Sequence, residues 1–205
     1  MTLTTALLAG SAGAATFKWA NDGDANSMDP YTRAETFLFT FTQNIYEPLV
    51  RRDRQLRVEP ALAESWETPS PTVWRFHLRP GVKFQEGQSF TADDVVFSYQ
   101  RAIGPGSGLK ALFPTVKEMR KVDDLTVDVE TTVSDPIFLE EITYWTIMSK
   151  SWCEEHGATQ AADLTKSEEN FATRHANGTG PFILQTREPD RRTTFVNNPS
   201  WWDKP

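Results

Sequence analysis

The sequence predicts a mixed α/β fold (α+β), in which strands that follow one another along the chain are interspersed with a few helices. Three observations support it. Residues 73–79 alternate between apolar and polar, as a strand with one buried face requires. Apolar residues recur at helical spacing from 95 to 103. Two alternating segments flank Asp123 and Asp124, which predicts a hairpin between neighbouring strands.

The N-terminus predicts export. The chain has 205 residues, and the first 14 are small or apolar and carry no charged side chain. They end in Ala12-Gly13-Ala14, the small-x-small pattern that a signal peptidase accepts, although the positive residues of a full signal peptide are missing. We therefore expect a clipped signal peptide over 1–14 and a periplasmic protein. No later apolar run is long enough to cross a membrane.

The first third of the chain predicts a strand, a loop and a helix. Residues 16–20 alternate and predict a strand, and the loop 21–30 follows, rich in Asn, Asp, Gly and Ser. Helical spacing from Ala34 to Ile45 predicts a helix that ends before Pro48. A short strand is expected to begin immediately after that proline.

The middle of the chain gives the clearest local signals. Trp74, Phe76 and Leu78 should share the buried face of the strand over 73–79, and a second short strand is expected at 82–84. Thr91 and Asp94 have the spacing of a capping box, with Asp in place of the usual Glu or Gln. They predict where the helix over 95–103 begins.

The last third is less regular. A helix is expected over 137–147, whereas residues 154–176 show no periodicity. Apolar segments on either side of a turn at 188–190 predict another hairpin. Trp201 and Trp202 follow it, and they would be exposed unless another element packs on them.

Composition and charge exclude several classes of function. The formal net charge is −7 and the isoelectric point is about 5.0, which disfavours a nucleic-acid partner and docking on an anionic membrane. The one cysteine, Cys153, stands in a Cys-x-x-His spacing with His156, but a closed zinc site needs four ligands. No nucleophile motif or phosphate-binding loop is present. We predict no catalytic residue, no metal and no cofactor.

Several motifs together resemble the peptide- and nickel-type solute-binding proteins, family 5 of the extracytoplasmic solute receptors. They occur in the family's order over nearly the whole chain from about residue 17: Tyr46–Val50, Pro60–Glu67, Trp74–Phe84, Phe90–Tyr99, Asn177–Phe182 and Asn198–Trp202. One departure is Pro69-Ser70-Pro71, which replaces the family's usual polar turn before the strand at Trp74.

The resemblance implies the first lobe of a two-lobed periplasmic-binding-protein fold (type II, peptide-binding-like). Residues 15–205 would be the N-terminal portion of lobe I, with an appended subdomain over about 48–176 and without lobe II. Members of the family are more than twice as long, so a gene fragment is our working expectation. They bind a peptide or similar small solute between the lobes and deliver it to the membrane subunits of an ABC importer, and we expect a monomer.

The resemblance also suggests where a ligand would be contacted. The loop after the first strand, the turn that returns to the main sheet and an aromatic pair are the candidates: Asp22, Asp24, Ser27, Tyr144, Trp145, Thr179 and Gly180. Each has a structural alternative, namely a turn residue, a glycine required by the backbone or a core aromatic.

Three other interpretations stay open. The seven tryptophans could form stacking platforms of an exported carbohydrate-binding module, which needs exposed coplanar rings. An exported hydrolase would need a nucleophile and a base. The chain could also be a non-functional fragment of a binding protein.

Overall fold

The computed structural model of the protein describes residues 16–20 and 23–203. The signal peptide predicted over 1–14 and the candidate Asp22 therefore lie outside the described residues.

Eight strands, five α-helices and three short 3₁₀ helices make up the regular structure of the described residues. The strands are β1 Val50–Arg52, β2 Val58–Pro60, β3 Ala63–Ser70, β4 Val73–Leu78, β5 Val116–Asp123, β6 Thr126–Thr131, β7 Phe182–Glu188 and β8 Arg192–Asn197. The helices are α1 Thr36–Thr42, α2 Ala92–Ile103, α3 Phe138–Glu141, α4 Lys150–Glu155 and α5 Phe171–Arg174. The predicted mixed α/β class is confirmed.

The strands form three antiparallel sheets. The largest has the order β3-β4-β6-β5, so the strand predicted over 73–79 lies inside it and the hairpin predicted at Asp123 and Asp124 forms its far edge. The other two sheets are the hairpins β1-β2 and β7-β8, and the second of these was also predicted. Phe76 and Leu78 are buried on one face of β4, as the alternation requires.

Helix α2 begins where the capping pattern predicts. The backbone N–H of Thr91 donates to Asp94 Oδ2 at 2.9 Å, which is one half of a capping box. Val95, Tyr99 and Ala102 are buried on its inner face. The capping box fixes the N-terminal end of this helix, and the chain leaves its C-terminal end at Gly104.

Three local predictions were wrong, and one short helix lies where the sequence shows no periodicity. Residues 16–20 form no strand, since no described strand pairs with them, and the expected strand at 82–84 is reduced to a bridge between Lys83 and Ser89. The helix expected over 137–147 breaks up into α3 and a 3₁₀ turn, beyond which the chain is extended and buried. Within 154–176, helix α5 forms because Asn170 supplies a capping box that periodicity does not reveal.

Candidate functional site

A buried carboxylate, Glu47, joins three separate segments of the chain. Glu47 is 6% exposed and follows the end of α1. Its Oε2 accepts hydrogen bonds from Thr179 Oγ1 and Trp202 Nε1, both at 2.8 Å, and its Oε1 accepts one from Trp201 Nε1 at 3.1 Å. Burial raises the pKa of Glu47, and these hydrogen bonds offset only part of that effect. We call these four residues the Glu47 cluster.

Two glycines let the turn that carries Thr179 approach Glu47. A Cβ at Gly178 would lie 2.1 Å from the carbonyl oxygen of Ile45, and one at Gly180 would lie 2.6 Å from the same atom. The N–H of Gly180 donates to that oxygen at 2.7 Å. Thr179 is fully buried, so the two candidates in this turn lie inside the protein and fix the turn against the residues that follow α1.

Other parts of the chain pack on Trp201 and Trp202, which is the condition under which the sequence does not leave them exposed. Both are partly buried. The guanidinium of Arg79 lies 4.3 Å from the ring of Trp202, a cation–π arrangement. Glu47, which belongs to the motif Tyr46–Val50, accepts hydrogen bonds from both indole N–H groups.

Tyr144 and Trp145 are neighbours in sequence but lie in different surroundings. Tyr144 is 40% exposed, stacks on Phe39 at a centroid distance of 5.3 Å and lines an open depression of about 440 Å³ beside Glu47. Trp145 is fully buried and packs edge-on against Phe113. Of the two, only Tyr144 has surface that a ligand could reach in this structure.

The charges around the depression beside Glu47 are paired within the protein. Arg51 contacts Glu59 at 2.7 Å and Asp203 at 2.8 Å, and Arg52 contacts Glu140 at 2.5 Å. Because each arginine already has an acidic partner, this depression offers a ligand little unmatched charge.

Asp24 and Ser27 form hydrogen bonds that stabilise the conformation of the N-terminal loop. Asp24 accepts from Arg187 at 2.7 Å and from the N–H of Asp190 at 2.6 Å, which ties the loop to the β7-β8 hairpin. Burial works to raise the pKa of Asp24, but these hydrogen bonds outweigh it and the pKa is lowered. Ser27 is 1% exposed and accepts the N–H of Asp29 at 3.0 Å. Neither is brought close to Thr179 or Gly180 by the contacts that the structure shows.

A buried ion pair that the sequence analysis missed fixes the next part of the same loop. The side chains of Asp29 and Arg101 are both 0% exposed, and their two hydrogen bonds measure 2.8 and 2.5 Å. Arg101 also donates to the carbonyls of Ala158 and Gln160. Burial works to lower the pKa of Arg101, but Asp29 raises it above its ordinary value. A signal was available, since Ser98 and Arg101 lie on the face of α2 that Val95 and Ala102 bury.

Three loops next to this ion pair surround an open depression of about 490 Å³, which we call the three-loop depression. They comprise residues 32–35, 106–108 and 163–165. A Cβ on Gly106, whose φ is +76°, would lie 2.1 Å from the carbonyl oxygen of Ala161. Only glycine therefore allows this close approach of the second loop to the third.

The second loop is also held against the first. The N–H of Gly108 donates to the carbonyl of Tyr31 at 2.9 Å, and Ser107 Oγ donates to the same oxygen at 3.3 Å. A Cβ on Gly108 would lie 2.8 Å from Arg33 Cα. Since the N–H of Tyr31 donates to Asp29 at 3.0 Å, the backbone around the depression is continuous with the buried ion pair.

The charged groups of the three-loop depression are unequally matched. Hydrogen bonds from Thr165 and Lys166 lower the pKa of Asp163 to about 2, so its charge is already engaged. Arg33 contacts only Glu35, at 3.2 Å, in a pair whose side chains are 42% and 47% exposed. Arg33 Nε is buried and has no acceptor among the described residues. This nitrogen is one of seven buried side-chain nitrogen and oxygen atoms that have no hydrogen-bond partner among the described residues.

Other chemistry is limited in the part of the chain that the structure describes. No group of three or more His, Cys, Asp or Glu side chains there could hold a metal ion, and none of its helices is long and apolar enough to cross a bilayer. Cys153 is fully buried, and burial raises the pKa of its thiol to about 12. His156 stacks on Phe171, and its Nδ1 lies 2.9 Å from the carbonyl oxygen of Trp152.

The comparison with protein families identifies the class of this chain. Residues 57–205 match the family model described as bacterial extracellular solute-binding proteins, family 5, middle. The chain belongs to this family, as the motifs predicted.

Relatives by sequence and by structure are of the same kind. The chain is 32% identical over 184 residues to the heme-binding protein A of Haemophilus influenzae, covering 78% of this chain and 32% of that protein. It is 29% identical to the dipeptide-binding protein of Escherichia coli, covering 98% and 41%. The solved structure of OppA from Burkholderia pseudomallei matches with a TM-score of 0.73 at 27% identity, over 87% of this chain and 37% of OppA. The chain thus spans about a third to two fifths of the length of these relatives.

Proposed function

We propose that this chain contributes one wall of an exported receptor that captures a peptide or a similar small solute and delivers it to the membrane subunits of an ABC importer. The family match over 57–205 carries the proposal. Relatives named for peptide and dipeptide binding, one of them a periplasmic transport protein, support it. The receptor would work in the periplasm as a monomer, and its role would be capture without chemistry.

Within this function, the three-loop depression is the better candidate for the solute-facing wall. Residues 32–35 precede the predicted subdomain over 48–176, whereas the other two loops belong to it. Ligand sites form preferentially at such junctions between structural units. Arg33 has a single exposed partner here, Glu35, whereas the depression beside Glu47 holds Arg51 and Arg52 in three ion pairs. Tyr144 and Asp24 remain secondary candidates.

One wall should bind weakly. A micromolar ligand corresponds to about −8 kcal/mol, and if two walls contribute about equally, each alone corresponds to about millimolar affinity. We therefore expect the 205-residue chain to bind short peptides with a dissociation constant near the millimolar range. Two-dimensional NMR titration of the labelled chain with a mixture of tripeptides measures this, and the shifted amides should fall in residues 32–35, 106–108 and 163–165.

Two outcomes would contradict parts of the proposal. Micromolar binding in calorimetry would show that a second wall is not needed. Shifts confined to the depression beside Glu47 would move the site to Tyr144. A Tyr144→Ala variant is the matched control, because it removes an exposed ring and should leave titration of the three-loop depression unchanged.

A further inference from the structure

We infer that Arg101 is a positioning residue of the proposed solute-facing wall, because its one buried guanidinium holds together the three loops that line the three-loop depression. The inference rests on the proposed function and deepens it. It assigns the spacing between those loops to a side chain that does not itself line the depression.

The guanidinium of Arg101 holds the start of the first loop through Asp29. Nη1 and Nη2 of Arg101 donate to the two carboxylate oxygens of Asp29, at 2.8 and 2.5 Å. The same carboxylate accepts the N–H of Tyr31 at 3.0 Å, and the hydroxyl of Thr32 donates to the carbonyl of Asp29 at 3.2 Å. The chain therefore enters residues 32–35 in a conformation that this ion pair determines.

The same guanidinium holds the chain that leads into the third loop. Nε of Arg101 donates to the carbonyl oxygen of Ala158 at 3.0 Å, and Nη2 donates to that of Gln160 at 3.1 Å. The side-chain amide of Asn170 also donates to the carbonyl of Gln160, at 2.8 Å. This carbonyl therefore joins both ends of the segment that contains residues 163–165, and Arg101 fixes where it lies.

The second loop is connected to Arg101 by the chain itself. Arg101 lies in the last turn of α2, and the loop follows directly after that helix ends. Its glycines then place it against the neighbouring loops. A Cβ on Gly106 would lie 2.1 Å from the carbonyl oxygen of Ala161, and one on Gly108 would lie 2.8 Å from Arg33 Cα. All three loops thus depend on one side chain that is 0% exposed.

The chemistry of this contact suits positioning better than stability alone. A buried ion pair carries a large desolvation cost, and apolar residues of similar volume can often replace one without loss of stability. A guanidinium, by contrast, presents its N–H groups in a rigid planar fork, which fixes several acceptors at defined distances and angles. A wall that is ordered before the solute arrives binds it without a further ordering cost.

The test compares the loss of this ion pair with the loss of a matched pair elsewhere. Asp29→Asn with Arg101→Met leaves no buried charge, so part of the stability lost in the single variants returns. Asp128→Asn with Arg75→Met is the control, because the Asp128 side chain is 1% exposed and accepts two hydrogen bonds from Arg75, but the pair lies in the four-stranded sheet. Each labelled 205-residue chain is titrated with trialanine, the amide resonances of the three loops are followed, and the urea midpoint is measured on the same sample.

The two double variants should behave differently. The variant without Asp29 and Arg101 should shift the amides of all three loops and bind trialanine about tenfold more weakly, since the solute must then order the wall. The control should bind trialanine within about twofold of the unmodified chain even if its urea midpoint falls as far. Arg101→Lys keeps a cation beside Asp29 without the fork, so its affinity should lie between these two, and it decides the question if the first double variant does not fold.

The failures are distinguishable. A role in stability alone predicts that trialanine affinity follows the urea midpoint in every variant, the control included. That result, or unchanged affinity in the variant without Asp29 and Arg101, would overturn the positioning role while the capture site stands. If trialanine shifts none of the three loops of the unmodified chain at 20-fold above about 1 mM, both the site and the inference fall.

Discussion

The ion pair of Asp29 and Arg101 should be the most costly polar contact in the protein to break on one side. Both side chains are 0% exposed, and Arg101 makes four hydrogen bonds, two to Asp29 and one each to the carbonyls of Ala158 and Gln160. Asp29→Asn leaves a buried guanidinium without a counter-charge, and Arg101→Met leaves a buried carboxylate. Each change is expected to cost about 3–5 kcal/mol of unfolding free energy.

The double variant distinguishes pairing from simple packing. With Asp29→Asn and Arg101→Met together, no buried charge remains, so the total cost should be about 2–3 kcal/mol less than the sum of the single costs. Urea unfolding followed by tryptophan fluorescence and by circular dichroism measures all three, and coincident transitions show that two-state analysis holds. The exposed pair of Glu169 and Arg174 is the control, because neutralising either partner should cost less than about 1 kcal/mol.

Two results would refute this reasoning. A cost below about 1 kcal/mol for Asp29→Asn would mean that water or a neighbouring group compensates the guanidinium. A double variant as unstable as the sum of the single variants would mean that the two residues do not interact energetically. Hydrogen exchange at the Gly108 amide adds a local measurement, since its acceptor Tyr31 lies two residues from Asp29, and exchange should quicken in both single variants.

Two further predictions concern the other close contacts. Glu47→Gln should lower the unfolding free energy by about 1–3 kcal/mol, because an amide N–H₂ must then face an indole or hydroxyl donor. Urea unfolding measures this loss. An unchanged urea midpoint would show that the Glu47 cluster contributes nothing to stability. Gly108→Ala should lower the unfolding free energy by about 1–3 kcal/mol and shift the resonances of Arg33, because the new Cβ would lie 2.8 Å from Arg33 Cα. Gly23→Ala is the control and should be nearly neutral, because nothing lies within 4 Å of its new Cβ. Equal losses of unfolding free energy in the two variants would contradict the close packing at Gly108.

The sequence predicted those elements that local chemistry determines. Strict alternation in 73–79 and the capping pattern of Thr91 and Asp94 gave β4 and the start of α2, because the periods of strands and the geometry of helix ends are local properties. Helix α5 was missed because it is four residues long and depends on the cap at Asn170. The segment 16–20 was wrongly predicted as a strand. Alternation of apolar and polar residues shows which side chains could share a face, but a strand also needs a neighbouring strand to pair with.

The candidate site was harder to predict, because its contacts join residues far apart in the chain. Thr179 and Gly180 were selected as ligand contacts, yet they are buried against residues 45–47. Glu47 lay inside a recognised motif, but its three donors come from more than 130 residues away and left no local signal. Periodicity places a residue on a face and says nothing of which distant polar group will meet it there.

Polar groups are matched unevenly in the interior of the described residues. Asp29 binds Arg101, Asp128 accepts from Arg75 and Arg120, and Glu47 accepts from three neutral donors. Seven other buried side-chain atoms, among them Trp145 Nε1 and Arg33 Nε, have no hydrogen-bond partner among the described residues. Each unpaired buried group costs free energy, which the fold offsets by burying large apolar side chains around it. The full ionic charges in the interior are therefore paired first, because leaving one of them uncompensated costs more than leaving a neutral donor unpaired.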